Sequence, residues 1–370
     1  MAIVTSLSGN EIFCLSLKHL EAGQVVFGNS VISRGFFGSL ASAGNNMLGG
    51  EVPQITQAIS EGRMNAFHRM TQEAIHHGAS GVAGITSELR HLHEHPEFIF
   101  AGSCVHSPDK SLPFFTSAGD AQELYCHMDA GYRPIQHAFG NIAYSMGVGG
   151  GFSGWARSLN PGEVPEYSNI FNHTRHVALD RLVDQARQSG ANAVVGIRTI
   201  VRDELGAHEM LMTGTAAKHD KLPASAIVTS DLTGEELWGM SSLGYAPLKL
   251  LMSTSIYSLG VSGGFKAFMQ SFQKGEINAL TKVMHDARDV AVDRIKREAD
   301  NLGASNVKVV GAKTYIAELT DRLVEFMTIG TAMTKVEGAG VSTPTLPAQA
   351  IIQDEDTWVG GYRGFRLDRT

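Results

Sequence analysis

Internal repetition constrains this chain more than any other feature. Three stretches lie over one another without a gap, Glu11 to Val82 matching 123–194 and 236–307 at shifts of 112 and then 113. Thirteen positions are identical in all three copies, where chance supplies fewer than about one over such a window. They begin with Glu11/Glu123/Glu236 and Ser33/Ser145/Ser258, and run through Gly50-Glu51, Gly162-Glu163 and Gly275-Glu276. Arg63/Arg175/Arg288, Arg69/Arg181/Arg294 and Gly78-Ala79/Gly190-Ala191/Gly303-Ala304 follow, and Gly102, Gly214 and Gly330 recur near each copy's end. The chain is therefore one unit written three times, over residues 1–105, 112–219 and 224–335, with 336–370 as a C-terminal tail. The joints Pro108-Asp109-Lys110 and Asp220-Lys221-Leu222-Pro223 are short and polar. Units of about 110 residues are domain-sized, so beads on a string are expected rather than the turns of a solenoid.

Within the unit, apolar residues at Val52, Ile55, Ile59, Ala66, Phe67, Met70 and Ala74 keep helical spacing, and both other copies repeat it. Pro53 and Pro165 suit a first helical turn. Glu51, Glu163 and Glu276 place a carboxylate at the positive end of the helix, and Gly78, Gly190 and Gly303 suit its left-handed end. Strand-like runs flank the helix at Ile3–Thr5, Ile12–Leu17, Val25–Ile32, Val82–Thr86 and Phe98–Val105. The fold class expected is α+β, three tandem repeats, each an antiparallel β-sheet packed on one long α-helix.

Composition narrows the partners. Thirty Lys+Arg against 37 Asp+Glu give a formal charge of -7, which lacks the basic footprint that nucleic acid or an anionic membrane requires. The start, Met1-Ala2-Ile3-Val4, has no basic region leading into an apolar run, so no export signal, no membrane span and a cytoplasmic location are expected. Cys14, Cys104 and Cys126 are odd in number and far apart, a poor basis for a disulfide framework or a thiolate metal cage.

Several of these features together resemble the YbjQ-like family, labelled a heavy-metal-binding domain. They are Thr116-Ser117, the strand Gly140-Asn141-Ile142, the helix spacing Arg175-His176-Val177-Ala178, and the ending Gly190-Ala191-Asn192-Ala193-Val194-Val195-Gly196. The resemblance implies a dodecin-like β-α-β unit that assembles as a ring, commonly of five in single-unit members. A triplicate with a tail departs from that pattern.

Candidate sites divide into interface and metal. Each copy holds a Gly/aromatic stretch before its helix, with Phe36, Phe37, Phe152, Trp155, Phe265 and Phe268, too apolar for a solvated loop. Arg63, Arg175 and Arg288, with Arg69, Arg181 and Arg294 six residues on, recur in an otherwise apolar-striped helix. The fork of donors on arginine suits ion pairs at an interface, and Glu51, Glu163 and Glu276, or Glu11, Glu123 and Glu236, are the natural partners; an anionic ligand is the alternative. The tail's Leu346-Pro347-Ala348-Gln349-Ala350-Ile351-Ile352 echoes Leu222 to Val228 at the opening of the third unit and suits a strand donated to a sheet edge. His91, His93 and His95 in His-Leu-His-Glu-His share one face if extended, a spacing for a divalent transition metal; a solvated hairpin tip is the plainer reading. Gly147 to Gly154 lacks the phosphate-loop ending, and no nucleophile–base pair stands out. The function expected is a non-enzymatic, self-assembling ring or scaffold whose partner is itself, with metal or small-ligand binding by the first unit's histidines as the alternative.

Overall fold

The computed structural model describes residues 2–33, 35, 50–93, 95–145, 162–204, 207–258, 278–320 and 323–347. The Gly/aromatic stretches, with Phe36, Phe37, Phe152, Trp155, Phe265 and Phe268, lie outside these residues, as do Glu276 and the tail from Ala348 onward.

The first two repeats run short helix, strand, two-residue strand, long helix, strand, strand, and the described residues of the third give short helix, strand, long helix, strand, strand. The first has α1 (Gly9–Ser16), β1 (Glu21–Val31), β2 (Gly50–Glu51), α2 (Pro53–His76), β3 (Gly81–Leu92) and β4 (His95–His106). Next come β5 (Phe115–Thr116), α3 (Ala121–Asp129), β6 (Arg133–Ser145), β7 (Gly162–Glu163), α4 (Pro165–Gln188), β8 (Ala193–Glu204) and β9 (Ala207–Lys218). The third holds β10 (Val228–Thr229), α5 (Gly234–Ser242), β11 (Tyr245–Ser258), α6 (Asn278–Asp300), β12 (Lys308–Thr320) and β13 (Leu323–Lys335). Among the described residues, no helix is long and apolar enough to cross a membrane.

The expected long helix is present in every copy. Pro53 and Pro165 sit in the first turn, and Gly78, Gly190 and Gly303 take φ of +68°, +81° and +68° just past the helix end, where a side chain would be strained. The run Ile12–Leu17 is not a strand: it falls in α1. Ser8 and Glu11 close a capping box there, each side chain meeting the other's backbone N–H. Local capping outweighs the β-like alternation of the run. Thr233 and Glu236 close the same box on α5.

Because repeats exchange strands, the first two sheets are mixed, and the third is antiparallel throughout its described strands. Orders are β1-β4-β3-β5, β10-β8-β9-β6-β2 and β12-β13-β11-β7. Thus β2 of the first repeat extends the second repeat's sheet, Gly50 opposite Ser145 and Glu51 opposite Tyr144. β7 does the same to the third, Gly162 opposite Ser258 and Glu163 opposite Tyr257. In the other direction, β5 and β10 pair in parallel with β3 and β8 of the repeat before.

Packing follows the same logic. The first two long helices cross their own first strands so closely that a Cβ on Gly28 or Gly140 would lie 2.2 Å from the carbonyl oxygen of Ala66 or Ala178. The other side of each meets the first strand of the next repeat. Phe139, Ala143 and Leu211 of the second repeat join the core of Ile55, Ile59 and Ala66, and Leu250, Met252 and Ile256 of the third join that of Phe171 and Leu179. The units are therefore not beads. Alternating side chains of β6 and β11 serve two cores, so each of these strands is buried on both faces.

Candidate functional site

The most unusual chemistry lies on the seams between repeats. Arg63, midway along α2, is fully buried. Its guanidinium donates from Nη2 to both carboxylate oxygens of Glu209 on β9 of the next repeat, at 3.0 and 2.7 Å. Its Nη1 donates to Ser87 Oγ at 2.7 Å, and the group lies over the Phe98 ring, 5.4 Å from the centroid. Arg175 repeats the arrangement one unit along. Nη2 reaches the two oxygens of Glu325 on β13 at 3.0 and 2.7 Å, Nε reaches Oε1 at 3.2 Å, and the Tyr144 ring lies 4.9 Å away. Burial works to lower the Arg175 pKa, and the Glu325 carboxylate overrides it, so the group is held charged with its pKa raised.

A second pair runs the opposite way across each seam. Arg181 Nη2 donates to Glu51 Oε1 at 2.7 Å, and Arg294 Nη2 to Glu163 Oε1 at 2.5 Å. Backbone and hydroxyl contacts are duplicated too. The N–H of Val52 meets the Ala143 carbonyl at 2.9 Å and that of Val164 meets Ile256 at 2.8 Å. Thr56 Oγ1 accepts from the Ala143 N–H, and Ser168 Oγ from the Ile256 N–H, both at 2.9 Å.

Arg63, Arg175, Arg181 and Arg294 thus each pair with a glutamate of a neighbouring repeat. Glu51 and Glu163 pair with the second arginine of the motif, on the following repeat, and not with the first. Glu11 and Glu236 are occupied by capping boxes, whereas Glu123 accepts from Arg198 at 2.7 Å. Arg69 donates to the Asn29 carbonyl within its own repeat. Arg288 is half exposed and pairs with its chain neighbour Asp289. Glu209 and Glu325 were not foreseen, yet they carried a signal: Glu97, Glu209 and Glu325 each stand five residues before the recurring Gly102, Gly214 and Gly330.

The second repeat also departs from the other two inside. His127 stands where the others have Leu15 and Met240, and His137 where they have Val25 and Leu250. Both rings are buried with neither nitrogen hydrogen-bonded among the described residues, and Phe67, Phe100 and Phe139 surround His137. Burial, with Arg198 adding repulsion, drives them down to about 4 and about 3, so both are neutral. Nearby, a cavity of about 320 Å³ is lined by Glu123, Arg198, Asp231, Lys313 and Tyr315. Burial pushes Glu123 up to about 7 against the pull of Arg198, a carboxyl able to exchange a proton near neutrality.

The histidine-rich segment forms a hairpin tip. His91 is the next-to-last residue of β3, opposite Pro96, His95 opens β4 opposite Leu92, and His93 sits at the turn with φ +57°. The three rings therefore do not line one face of a single extended strand. Among the described residues, no three His, Cys, Asp or Glu side chains are placed to hold one ion. Cys14, Cys104 and Cys126 are buried and free. Cys14 and Cys126 pack with Tyr125, Trp238 and Leu346 where α1, α3 and α5 gather, and the segment after β13 returns to this point, Thr343 N–H donating to Asp129.

Comparison with known proteins matches the repeats individually. A family model described as putative heavy-metal-binding, of the YbjQ type, covers residues 16–107, 132–220 and 244–336. An encapsulin nanocompartment protein of Mycobacterium tuberculosis is 28% identical over 242 residues, 62% of this chain and 90% of that protein. A UPF0145 protein of a Bradyrhizobium species is 40% identical over 92 residues, 24% of this chain and 82% of its own length. One of Vibrio parahaemolyticus is 36% identical over 80 residues, 21% of this chain and 76% of its own. No solved structure matches.

Proposed function

Since the chain belongs three times over to the YbjQ-type family, we propose that it is a non-enzymatic scaffold that assembles with copies of itself. The observation that carries this reading is the duplication of the seam. The helix of one repeat covers the sheet of the next, and one buried, bidentate Arg–Glu pair recurs at each junction. Such a surface is made for stacking identical units. Relatives such as the Bradyrhizobium protein match one unit over most of their length, so the unit also occurs outside a triplicate. The Mycobacterium relative carries the name of an encapsulin nanocompartment protein, which supports an assembly role. A head-to-tail contact closes into a ring where its rotation permits, and a dodecin-like ring, of five or another number of units, is the form proposed here. Three buried free thiols suit a reducing compartment such as the cytoplasm. Light scattering of the full chain tests the reading: an assembly of several 39.7 kDa chains at micromolar concentration is expected, and a monomer refutes it.

A second reading is metal binding at the first repeat's hairpin tip, favoured by His91, His93 and His95 falling within five residues around one turn. Elemental analysis of untagged protein tests it against a variant with all three changed to alanine. A divalent transition metal present in the parent and lost in the variant supports it; equal metal content refutes it.

A further inference from the structure

We infer that the uncovered sheet face of the first repeat is the docking site for the third repeat's long helix, α6, of a second copy, with Arg288 pairing to that copy's Glu97. The inference rests on the self-assembly reading and names the surface that reading requires.

The two internal seams define what a finished junction looks like. On β6 and β11 the side chains facing the preceding repeat are buried: His137, Phe139 and Ala143, then Leu250, Met252 and Ile256. The same positions on β1 are Val25, Phe27 and Val31, and all three are exposed. Phe27 is 61% exposed where Phe139 is 5% and Met252 1%. Among the described residues nothing covers these three side chains, and the sheet of the first repeat presents an apolar face, which marks an interaction surface. Glu97 stands on that face at the position of Glu209 and Glu325. It is half-buried and takes a hydrogen bond from Asn29, and among the described residues no long-helix arginine reaches it as one reaches each of its two counterparts.

The other end of the chain carries the complementary half. Arg288 occupies the position of Arg63 and Arg175, but its side chain is 53% exposed beside Asp289. One terminus thus offers an apolar sheet face centred on a carboxylate, and the other a helix bearing the guanidinium that this carboxylate binds twice within the chain. A second copy is the one partner for which both halves of the contact are already built. The contact is heterologous, head to tail, so each copy retains one free end for the next.

The test exploits that polarity. Arg288→Glu spoils the tail and leaves the head; Glu97→Arg spoils the head and leaves the tail. Each variant alone, with far-UV circular dichroism unchanged, is expected to associate at least about a hundredfold more weakly than the parent, as for loss of one partner of a buried charge pair. Mixed in equal amounts, the two are expected to form complexes again, because intact tails meet intact heads. Phe27→Asp, at an exposed position, is expected to behave as Glu97→Arg does. If the parent assembles and the variants assemble equally well, self-association uses another surface and this inference is overturned while the scaffold reading stands. If the variants weaken but mixing restores nothing, the contact is not head to tail and the inference is again overturned. A monomeric parent removes both.

Discussion

Replacing Arg63 with Met strands the Glu209 carboxylate in a site where both partners are essentially removed from water, with side-chain exposures of 0% and 1%. Screening cannot soften the loss at that depth. Two hydrogen bonds from Nη2 go, with the Ser87 contact and the stacking on Phe98. Breaking one side of a buried pair costs about 3–5 kcal/mol. With a urea slope of about 3 kcal/mol/M, at the upper end for small domains, the midpoint of the transition involving the first seam falls by roughly 1–1.7 M. The companion experiment changes both partners, Arg63→Met with Glu209→Met. That variant leaves no buried charge and is expected to recover most of the loss, since apolar replacement of a whole buried pair is often neutral or stabilising. Asp220→Asn serves as the control: its pair with Arg133 is more than half exposed on both sides and should leave the midpoint where it was. The reasoning fails if Arg63→Met costs under about 1 kcal/mol, or if the double variant is no more stable than the single one.

Acid should weaken the second repeat through its histidines. His127 and His137 are held near 4 and 3 in the fold against about 6.5 when unfolded, so below about pH 6.5 the unfolded chain takes up protons that the fold refuses. Stability then drops as pH falls toward 4, and His127→Leu with His137→Leu should flatten that limb in pH-dependent urea melts. Glu123 works in the opposite sense: raised to about 7, it favours the fold below about 4.5 and loses that contribution as pH rises through 7, a slope that Glu123→Gln should remove. Gly140→Ala drives a Cβ to 2.2 Å from the Ala178 carbonyl oxygen and 2.5 Å from the Leu182 nitrogen. Helix and strand must separate, at a cost of about 1–3 kcal/mol visible in thermal melts.

The repeat and its long helix were legible because they are written in periodicity and in glycines whose backbone no other residue adopts easily. The short helices were not, because Ile12 to Leu17 looks like a strand until Ser8 and Glu11 are read together as a cap. Beads were expected because the joints are short and polar, yet the seams are built away from the joints, by helix faces and strands that sequence alone assigns to one core each. Half of every seam pair was visible: the arginines recur within the gapless window, whereas Glu97, Glu209 and Glu325 lie beyond it, across a hairpin whose length changes in the third copy. The buried histidines were hidden by the same habit of reading, since they appear as departures from the triplicate, and a search for repetition passes over them.

That a charged pair, rather than more leucine, sits in each seam bears on direction. Two charges taken out of water return little net stability compared with apolar packing of the same volume. Geometry gives them another use. The helix face of every unit carries the arginine and the sheet face the glutamate, so only a helix laid on the following sheet satisfies both. Two helix faces brought together would oppose guanidinium to guanidinium, and two sheet faces carboxylate to carboxylate, each leaving unpaired buried charge. Within the chain, linkage already holds neighbours close, as a tether does by raising effective concentration, so the internal seams gain little from such discrimination. The chain ends have no tether. In the proposed head-to-tail contact, Arg288 and Glu97 would have to select the correct face from free solution, and there the charged pair would have its greatest effect.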